Sequence, residues 1–261
     1  MLRSIYLLLS LLVFSIEAKT FIIGVQDVAY YPLYDFPNES HAKELLDTFA
    51  KSKNYKFIYL ALPIKRTNYW YKENAIDFKY PDSKRWSRGR SVYPDLKFSD
   101  PIVSLMAGAN VRKDKLGKSR VDIKTLGTIL GFHATMWLDL ISKGNTQVVE
   151  SSSPLNIIKQ VVYGYVDATN IEPSVINYYL SLLGKEGELV LDKTLPHEIY
   201  TFQLSTIKYE NILDEFNQFL KENHEFLESL EKKYHLTNVA EYSNITLSTK
   251  DSFVYDKNVK N

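Results

Sequence analysis

Residues Leu96–Lys115, LKFSDPIVSLMAGANVRKDK, predict an extended strand that leaves one compact unit and enters another. Val103, Leu105 and Met106 are apolar, Gly108 breaks this pattern, and the chain turns polar from Asn110 onward. Gly and Ala at the centre of a strand can absorb changes in φ and ψ because they carry little or no side-chain bulk. Hinges between closing lobes use positions of this kind. An ordinary buried strand with a glycine bulge explains the same pattern, so both interpretations stay open at this point.

Segments on either side of this stretch alternate between strand and helix patterns. Phe21–Val25 and Lys56–Leu62 are apolar runs typical of buried strands. Between them, apolar residues recur at helical spacing from Ala42 to Ala50 and predict a helix with Ser40 as its N-cap. Ser153-Pro154 is a helix start signal. This order predicts an α/β protein. Further expected strands are Ala75–Tyr80, Thr128–Leu130, Thr146–Glu150, Val166–Ile171, Leu189–Leu191 and Ile199–Leu204, and further expected helices are Ile64–Glu73, Ile123–Leu126, Ala134–Ser142, Pro173–Leu183 and Ile212–Tyr234.

Composition narrows the function classes. The chain has 261 residues, a formal net charge of +1 and no Cys. A near-zero charge argues against nucleic acid or an anionic membrane as the main partner. The missing Cys excludes disulfides, thiolate catalysis and Cys-ligated metals. No metal-ligand, phosphate-loop or nucleophile motif is present, so we expect no metal and no cofactor.

The N-terminus has the layout of a secretory signal. Arg3 is the positive start, Ile5–Ile16 is an apolar segment too short to span a bilayer comfortably, and Ala18 ends a cleavage motif. Residues 1–18 are therefore predicted to be a signal peptide, with an uncleaved membrane anchor as the alternative. We expect a periplasmic location, because an exported chain without Cys suits a periplasm better than a disulfide-stapled extracellular scaffold.

Four stretches, in this order, carry a family resemblance. They are Phe98-Ser99-Asp100-Pro101 with Val111-Arg112-Lys113, then Leu126–Gly131, then Gly164–Ala168 continuing through Glu172–Leu180, and Ser205–Asn217. Together they resemble the family 3 extracellular solute-binding proteins, the periplasmic receptors that serve ABC importers of amino acids and related polar solutes.

This resemblance implies a two-lobed, periplasmic-binding-protein-like α/β fold of type II. Each lobe would be a mostly parallel sheet flanked by helices, and two hinge crossovers would join the lobes. Residues 19–107 and 197–236 would form lobe one, residues 108–196 lobe two, and residues 237–261 a polar tail. A monomer would bind a small polar solute in the cleft, where ligands of α/β sheets are expected.

Aromatic and polar residues at the expected cleft are the candidate site. Rings after the first strand could stack on a ligand or enclose a cation, or they could be filler. A helix start at Gly131–Thr135 could bind an anion, or its N–H groups could be plainly capped. Glu172 matches the family acid that holds a ligand ammonium, and as an alternative it only stabilises its helix. The candidate ligand-binding residues are Tyr30, Tyr31, Tyr34, Tyr80, Asp82, Trp86, Arg90, Phe132, Thr135 and Glu172.

Three departures from the family pattern concern the ligand, and one is that Glu172 stands where the family acid is usually Asp. Amino-acid-binding members place an Arg shortly before the FS-x-P segment to clamp a carboxylate, whereas Arg85, Arg88 and Arg90 lie here at longer spacing. Lys79–Asp82 replaces the usual small-residue loop. The sequence does not name the solute.

Three functions remain open. The first is a binding protein without chemistry that delivers solute to an ABC permease. The second is a sensory module for a membrane signalling protein. The third is a dehydratase-like enzyme on the same scaffold, in which Glu172 and His133 would supply acid and base. We expect the first.

Overall fold

The chain was described from a computed structural model, which covers residues 18–86 and 93–242. The predicted signal peptide, Arg90 and most of the predicted tail lie outside these residues. The strands are β1 Lys19–Gln26, β2 Tyr55–Leu62, β3 Phe78–Asp82, β4 Lys97–Phe98, β5 Val103–Ala107, β6 Asn110–Arg112, β7 Thr125–Ile129, β8 Gln147–Ser151, β9 Ala168–Thr169, β10 Leu189–Leu191 and β11 Glu198–Thr206. The helices are α1 His41–Ser52, α2 Trp70–Glu73, α3 Leu138–Ser142, α4 Pro154–Val162, α5 Pro173–Leu183, α6 Glu210–Glu222 and α7 His224–Lys233.

The strands form two sheets, one in each lobe of a two-lobed α/β fold. Lobe one contains the order β2-β1-β3-β11-β4, with β5 paired to β11, and lobe two contains the order β10-β6-β9-β7-β8. Both sheets are mixed: β1 runs parallel to β2 and β3, and β7 runs parallel to β8 and β9, while other strands run antiparallel. The crossing strands account for this, because β11 runs antiparallel to β3, β4 and β5, while β6 runs antiparallel to β9 and β10.

The stretch Leu96–Lys115 is three short strands rather than one. The chain leaves the first sheet at Ala107 and joins the second at Asn110, and it returns between β10 and β11. Gly108 lies where these two crossings touch. A Cβ there would stand 2.5 Å from Leu191 Cδ1 and 3.1 Å from His197 Cβ. The crossings can approach this closely because residue 108 has no side chain.

Apolar helix faces pack each sheet as the sequence periodicity predicts. The buried face of α1 includes Phe49, whose ring centroid lies 4.9 Å from that of Phe216 in α6. In lobe two, a Cβ at Gly127 of β7 would stand 2.6 Å from Ile157 Cγ2 of α4. Among the described residues, no helix is long and apolar enough to cross a membrane.

Several local expectations need correction. Ser40 precedes α1 but its side chain does not cap the helix, because its hydroxyl donates to Asp35 O. The predicted helix Ile123–Leu126 is not formed: a 3₁₀ turn ends at Asp122, and Thr125 and Leu126 begin β7. The predicted helix Ala134–Ser142 is a 3₁₀ turn followed by the five-residue α3. Ser153 does cap α4, since its Oγ accepts from Asn156 N–H at 3.4 Å.

Candidate functional site

The two lobes meet at the carboxyl ends of their parallel strands. Tyr30, in the loop after β1, packs edge-to-face on Phe132 of lobe two, with ring centroids 5.4 Å apart. Its hydroxyl accepts a hydrogen bond from the backbone N–H of Glu172 at 2.8 Å. One hydrophobic cluster therefore continues from lobe one into lobe two. The lobes are in direct contact at the place where the sequence predicts a ligand.

Four tyrosine side chains, which we call the tyrosine cluster, gather at this contact: Tyr30, Tyr34, Tyr80 and Tyr200. Burial raises the pKa of each hydroxyl above its ordinary value, and the cluster members also disfavour one another's ionisation. The hydroxyls are thus neutral. Tyr34 donates to Gln26 Oε1 at 2.5 Å, whereas the buried hydroxyl of Tyr80 has no hydrogen-bond partner.

Glu172 is buried beside this cluster at the start of α5. Its Oε2 accepts from Ser174 N–H at 2.6 Å, so the carboxylate is the N-cap of its own helix. Burial raises the pKa of Glu172 to about 7, and the hydrogen bonds from Ser174 oppose that shift only in part. The carboxyl group therefore titrates near neutral pH, and its neighbours control its charge.

Lobe two presents two further polar atoms without partners. Thr128 and Asn170 directly follow the paired residues Gly127 and Thr169 of the parallel strands β7 and β9, so they lie at the same sheet edge. Thr128 Oγ1 and Asn170 Oδ1 are buried and make no hydrogen bond. An unmet buried hydrogen-bonding group costs about 1–3 kcal/mol, which a bound molecule could recover.

Asp82 is buried in lobe one and held by three partners. Its Oδ2 lies 2.9 Å from Lys79 Nζ and accepts from Ser205 Oγ at 2.6 Å, while Oδ1 accepts from Ser83 N–H. This carboxylate is neutralised inside the lobe. Its environment fits a structural role better than the predicted contact with ligand.

Two cationic side chains of lobe one, Arg85 and Lys65, reach lobe two. Arg85, in the loop after β3, donates to Thr135 Oγ1 at 2.8 Å and pairs with Glu198. Lys65 Nζ lies 3.2 Å from Glu150 Oε2. The predicted anion site at Gly131–Thr135 is already occupied by protein, because Gly131 N–H donates to Glu150 Oε1 at 3.1 Å. The helix that follows it is also too short to add a dipole of consequence.

The remaining candidates lie at the rim of the contact. Tyr31 packs on Tyr178 of lobe two, with ring centroids 4.3 Å apart. Trp86 is 45% exposed and its ring lies 5.8 Å from Phe202. Arg90 falls outside the described residues. Within residues 18–86 and 93–242, no group of three or more His, Asp and Glu side chains is arranged to hold a metal ion.

Comparisons with known proteins place this geometry in context. No protein-family profile matches the chain, and no curated protein matches it by sequence. Solved structures do match. The P235GK mutant of ArgBP from T. maritima superposes with a TM-score of 0.63 at 16% identity, covering 83% of this chain and 95% of that one. The chain has the fold of a periplasmic binding protein. The resemblance predicted from the sequence is therefore confirmed at the level of the fold.

Two other neighbours share this fold but carry different descriptions. A histidine kinase sensor domain with similarity to periplasmic binding proteins has a TM-score of 0.65 at 14% identity, covering 84% of this chain and 96% of that one. The ancestral amino acid-binding protein AncCDT-1, described as a precursor of cyclohexadienyl dehydratase, has a TM-score of 0.61 at 17% identity, covering 82% and 95%. At such identities the periplasmic-binding-protein fold is shared and the ligand is not specified.

Sequence reasoning missed four residues at the contact. Tyr200 could have been found, because the alternation in β11 puts it on the same face as buried Phe202. It lies near the start of β11, and β11 pairs with the carboxyl end of β3. Arg85 was one of three upstream arginines, and spacing alone did not select it. Thr128 and Asn170 carry no sequence signal, because their lack of partners is a property of the packed structure.

Proposed function

We propose that this protein captures a small polar solute between its two lobes. The observation that carries the proposal is a set of three buried polar atoms without hydrogen-bond partners, which belong to residues in or next to the carboxyl-terminal parts of parallel strands in both lobes: Tyr80 Oη, Thr128 Oγ1 and Asn170 Oδ1. Natural proteins leave few such groups, and a ligand with matching donors or acceptors removes their cost. The neutral hydroxyls of the tyrosine cluster would add hydrogen bonds that orient the solute.

Delivery to an ABC importer is the role that we propose for this capture. The neighbours that are transporter substrate-binding proteins support it, as does the predicted export of the mature chain from about Lys19. A test is to reconstitute the exported protein in proteoliposomes with an ABC permease and ATPase encoded beside it. Solute-loaded protein should stimulate the ATPase, and a protein that binds solute but leaves the ATPase unchanged would contradict the transport role.

A sensory role is the second candidate, favoured by the kinase sensor domain among the neighbours. An enzyme is less well supported. His133 is exposed and Glu172 is buried, and Glu172 bonds to its own helix rather than to His133. Incubating the identified solute with the protein and following it by NMR separates the cases, since a binding protein returns the solute unchanged.

Replacing Tyr80 by Phe tests the site directly. The variant removes a hydroxyl that is buried and unpaired, so we expect the free energy of unfolding to be unchanged or higher. If the hydroxyl bonds to the solute, affinity should fall roughly tenfold. A thermal-shift screen of polar metabolites, followed by calorimetry on wild type and variant, measures both.

Tyr55→Phe is the matched control, because that hydroxyl donates to Glu215 on the surface of lobe one, away from lobe two. It should leave affinity unchanged. If Tyr80→Phe binds solute as tightly as the wild type, the Tyr80 hydroxyl does not contact the solute. A wild-type protein that binds no solute at all would overturn the proposed function.

A further inference from the structure

At the interlobe contact, basic side chains are paired with acids, whereas one buried acid has no basic partner among the described residues. Three of the described cations near this contact are already paired with an acid: Lys79 with Asp82, Arg85 with Glu198, and Lys65 with Glu150. A solute carboxylate buried at this place would need a cation that is not already neutralised. Without one, its desolvation would be costly.

Glu172 is the opposite case. It is 2% exposed, and the hydrogen bonds to its side chain come from Ser174 and Val175 of its own helix. No described Lys or Arg lies within ion-pairing distance of it. Tyr30 and Tyr200, whose hydroxyls are neutral, are the titratable groups that face it from lobe one. A buried carboxylate with no counter-ion is the partner that a cationic solute needs.

Aromatic rings lie at the same interlobe contact as the Glu172 carboxyl group. The ring of Tyr200 already faces the Arg85 guanidinium at 5.3 Å, so its π face accepts a cation in this fold. Tyr30 and Phe132 bring two more rings from opposite lobes. Asn170 Oδ1 adds an unpaired acceptor, which matches the N–H donors of an ammonium or guanidinium.

We propose that the solute is an organic cation that carries an ammonium, guanidinium or imidazolium group and no carboxylate. The inference rests on the proposed function and narrows its solute class. Glu172 would supply the counter-charge, the rings of Tyr30, Tyr200 and Phe132 would enclose the cation, and the polar edge of lobe two would accept its remaining N–H groups.

Matched pairs that differ only by a carboxylate test this inference. Purified protein, freed of carried-over ligand by unfolding and refolding, is titrated by calorimetry with agmatine and arginine, with cadaverine and lysine, and with histamine and histidine. In at least one pair the amine should bind about tenfold or more tightly than the amino acid, because burial of the carboxylate is unfavourable.

Two test substitutions and one control show which side chains produce the preference. Glu172→Gln keeps an oxygen to accept from Ser174 N–H but removes the charge, so amine affinity should fall roughly 10- to 100-fold. Glu188→Gln, a surface change in the Lys185 pair, is the control and should change nothing. Glu198→Gln frees Arg85 from its acid, so the preference for agmatine over arginine should shrink by roughly threefold or more.

The outcomes separate the inference from the function on which it rests. Amino acids that bind more tightly than their amines would overturn the inference and leave solute capture standing. Binding of only anionic or uncharged metabolites in the wider screen would do the same. Full amine affinity in Glu172→Gln would also overturn it. A protein that binds nothing in the pairs or the screen would overturn both.

Discussion

Single residues at this contact show why residue type alone did not define the site. Asp82 ends β3 and Glu172 follows β9, yet Asp82 is neutralised by Lys79 while no described Lys or Arg pairs with Glu172. The sequence could propose both as ligand contacts, because both follow strands at the predicted cleft. It could not distinguish them, because the distinction lies in which side chains from distant segments surround each carboxyl group.

Burial of Glu172 should make stability depend on pH. Burial raises the pKa of this carboxyl group in the folded protein to about 7, above its ordinary value of 4.5. The folded state therefore holds this proton more tightly than the unfolded chain. The contribution of this proton to the free energy of unfolding, about 3 kcal/mol, is fully present below pH 4.5 and is lost as the pH rises through 7.

We expect Glu172→Gln to abolish this loss, because glutamine stays neutral at every pH. Urea unfolding of both proteins from pH 4 to 8 measures it, with Glu188→Gln as a control that should follow the wild type. Parallel stability curves for wild type and Glu172→Gln would show that the carboxylate is solvated or paired in solution.

Elements were predicted well where apolar periodicity was strong. The helix that contains Ala42–Ala50 and the Ser153-Pro154 start are present as α1 and α4. Prediction failed where tertiary contacts decide the backbone: Thr125 and Leu126 of the predicted helix Ile123–Leu126 are drawn into β7 by its parallel neighbours β8 and β9. The stretch from Leu96 is likewise divided into short strands, because it must pair first with β11 and then with β9 and β10.

Substitution of Gly108 tests whether the close approach of the two crossing segments contributes to stability. Its substitution by Ala would place a methyl group 2.5 Å from Leu191 Cδ1 and 3.1 Å from His197 Cβ. Overpacking of this kind typically costs 1–3 kcal/mol, so the free energy of unfolding should fall by about that amount. Chemical denaturation measures it. An Ala variant as stable as wild type would mean that the two crossing segments separate freely.

At the scale of the whole molecule, described residues of the two lobes are in direct contact. Gly131 is one of them: a Cβ there would stand 3.1 Å from Ile64 Cβ and 3.1 Å from Lys65 N, both in lobe one. The two-lobed fold was predictable from the order of motifs along the chain. The closeness of the lobes was not, because it depends on side chains far apart in sequence.

Gly131→Ala should hold the lobes apart. The backbone N of Lys65 cannot move as a side chain can, so we expect solute affinity to fall about tenfold through overpacking. Gly144→Ala is a matched control, because Gly144 also has a positive φ (+71, against +90 for Gly131) but nothing within 4 Å of its Cβ. Calorimetry and small-angle scattering with solute present compare the two. Equal affinities would show that this contact does not limit binding.

The buried carboxyl group of Glu172 also links solute capture to the surrounding buffer. At pH 6 the ligand-free protein holds a proton on this group, since its pKa is about 7. A bound cation would favour the ionised form, so that proton would be released to solution as the solute enters. The apparent heat of binding would then vary with the ionisation enthalpy of the buffer, and the slope of that variation would count protons released per solute bound, approaching one.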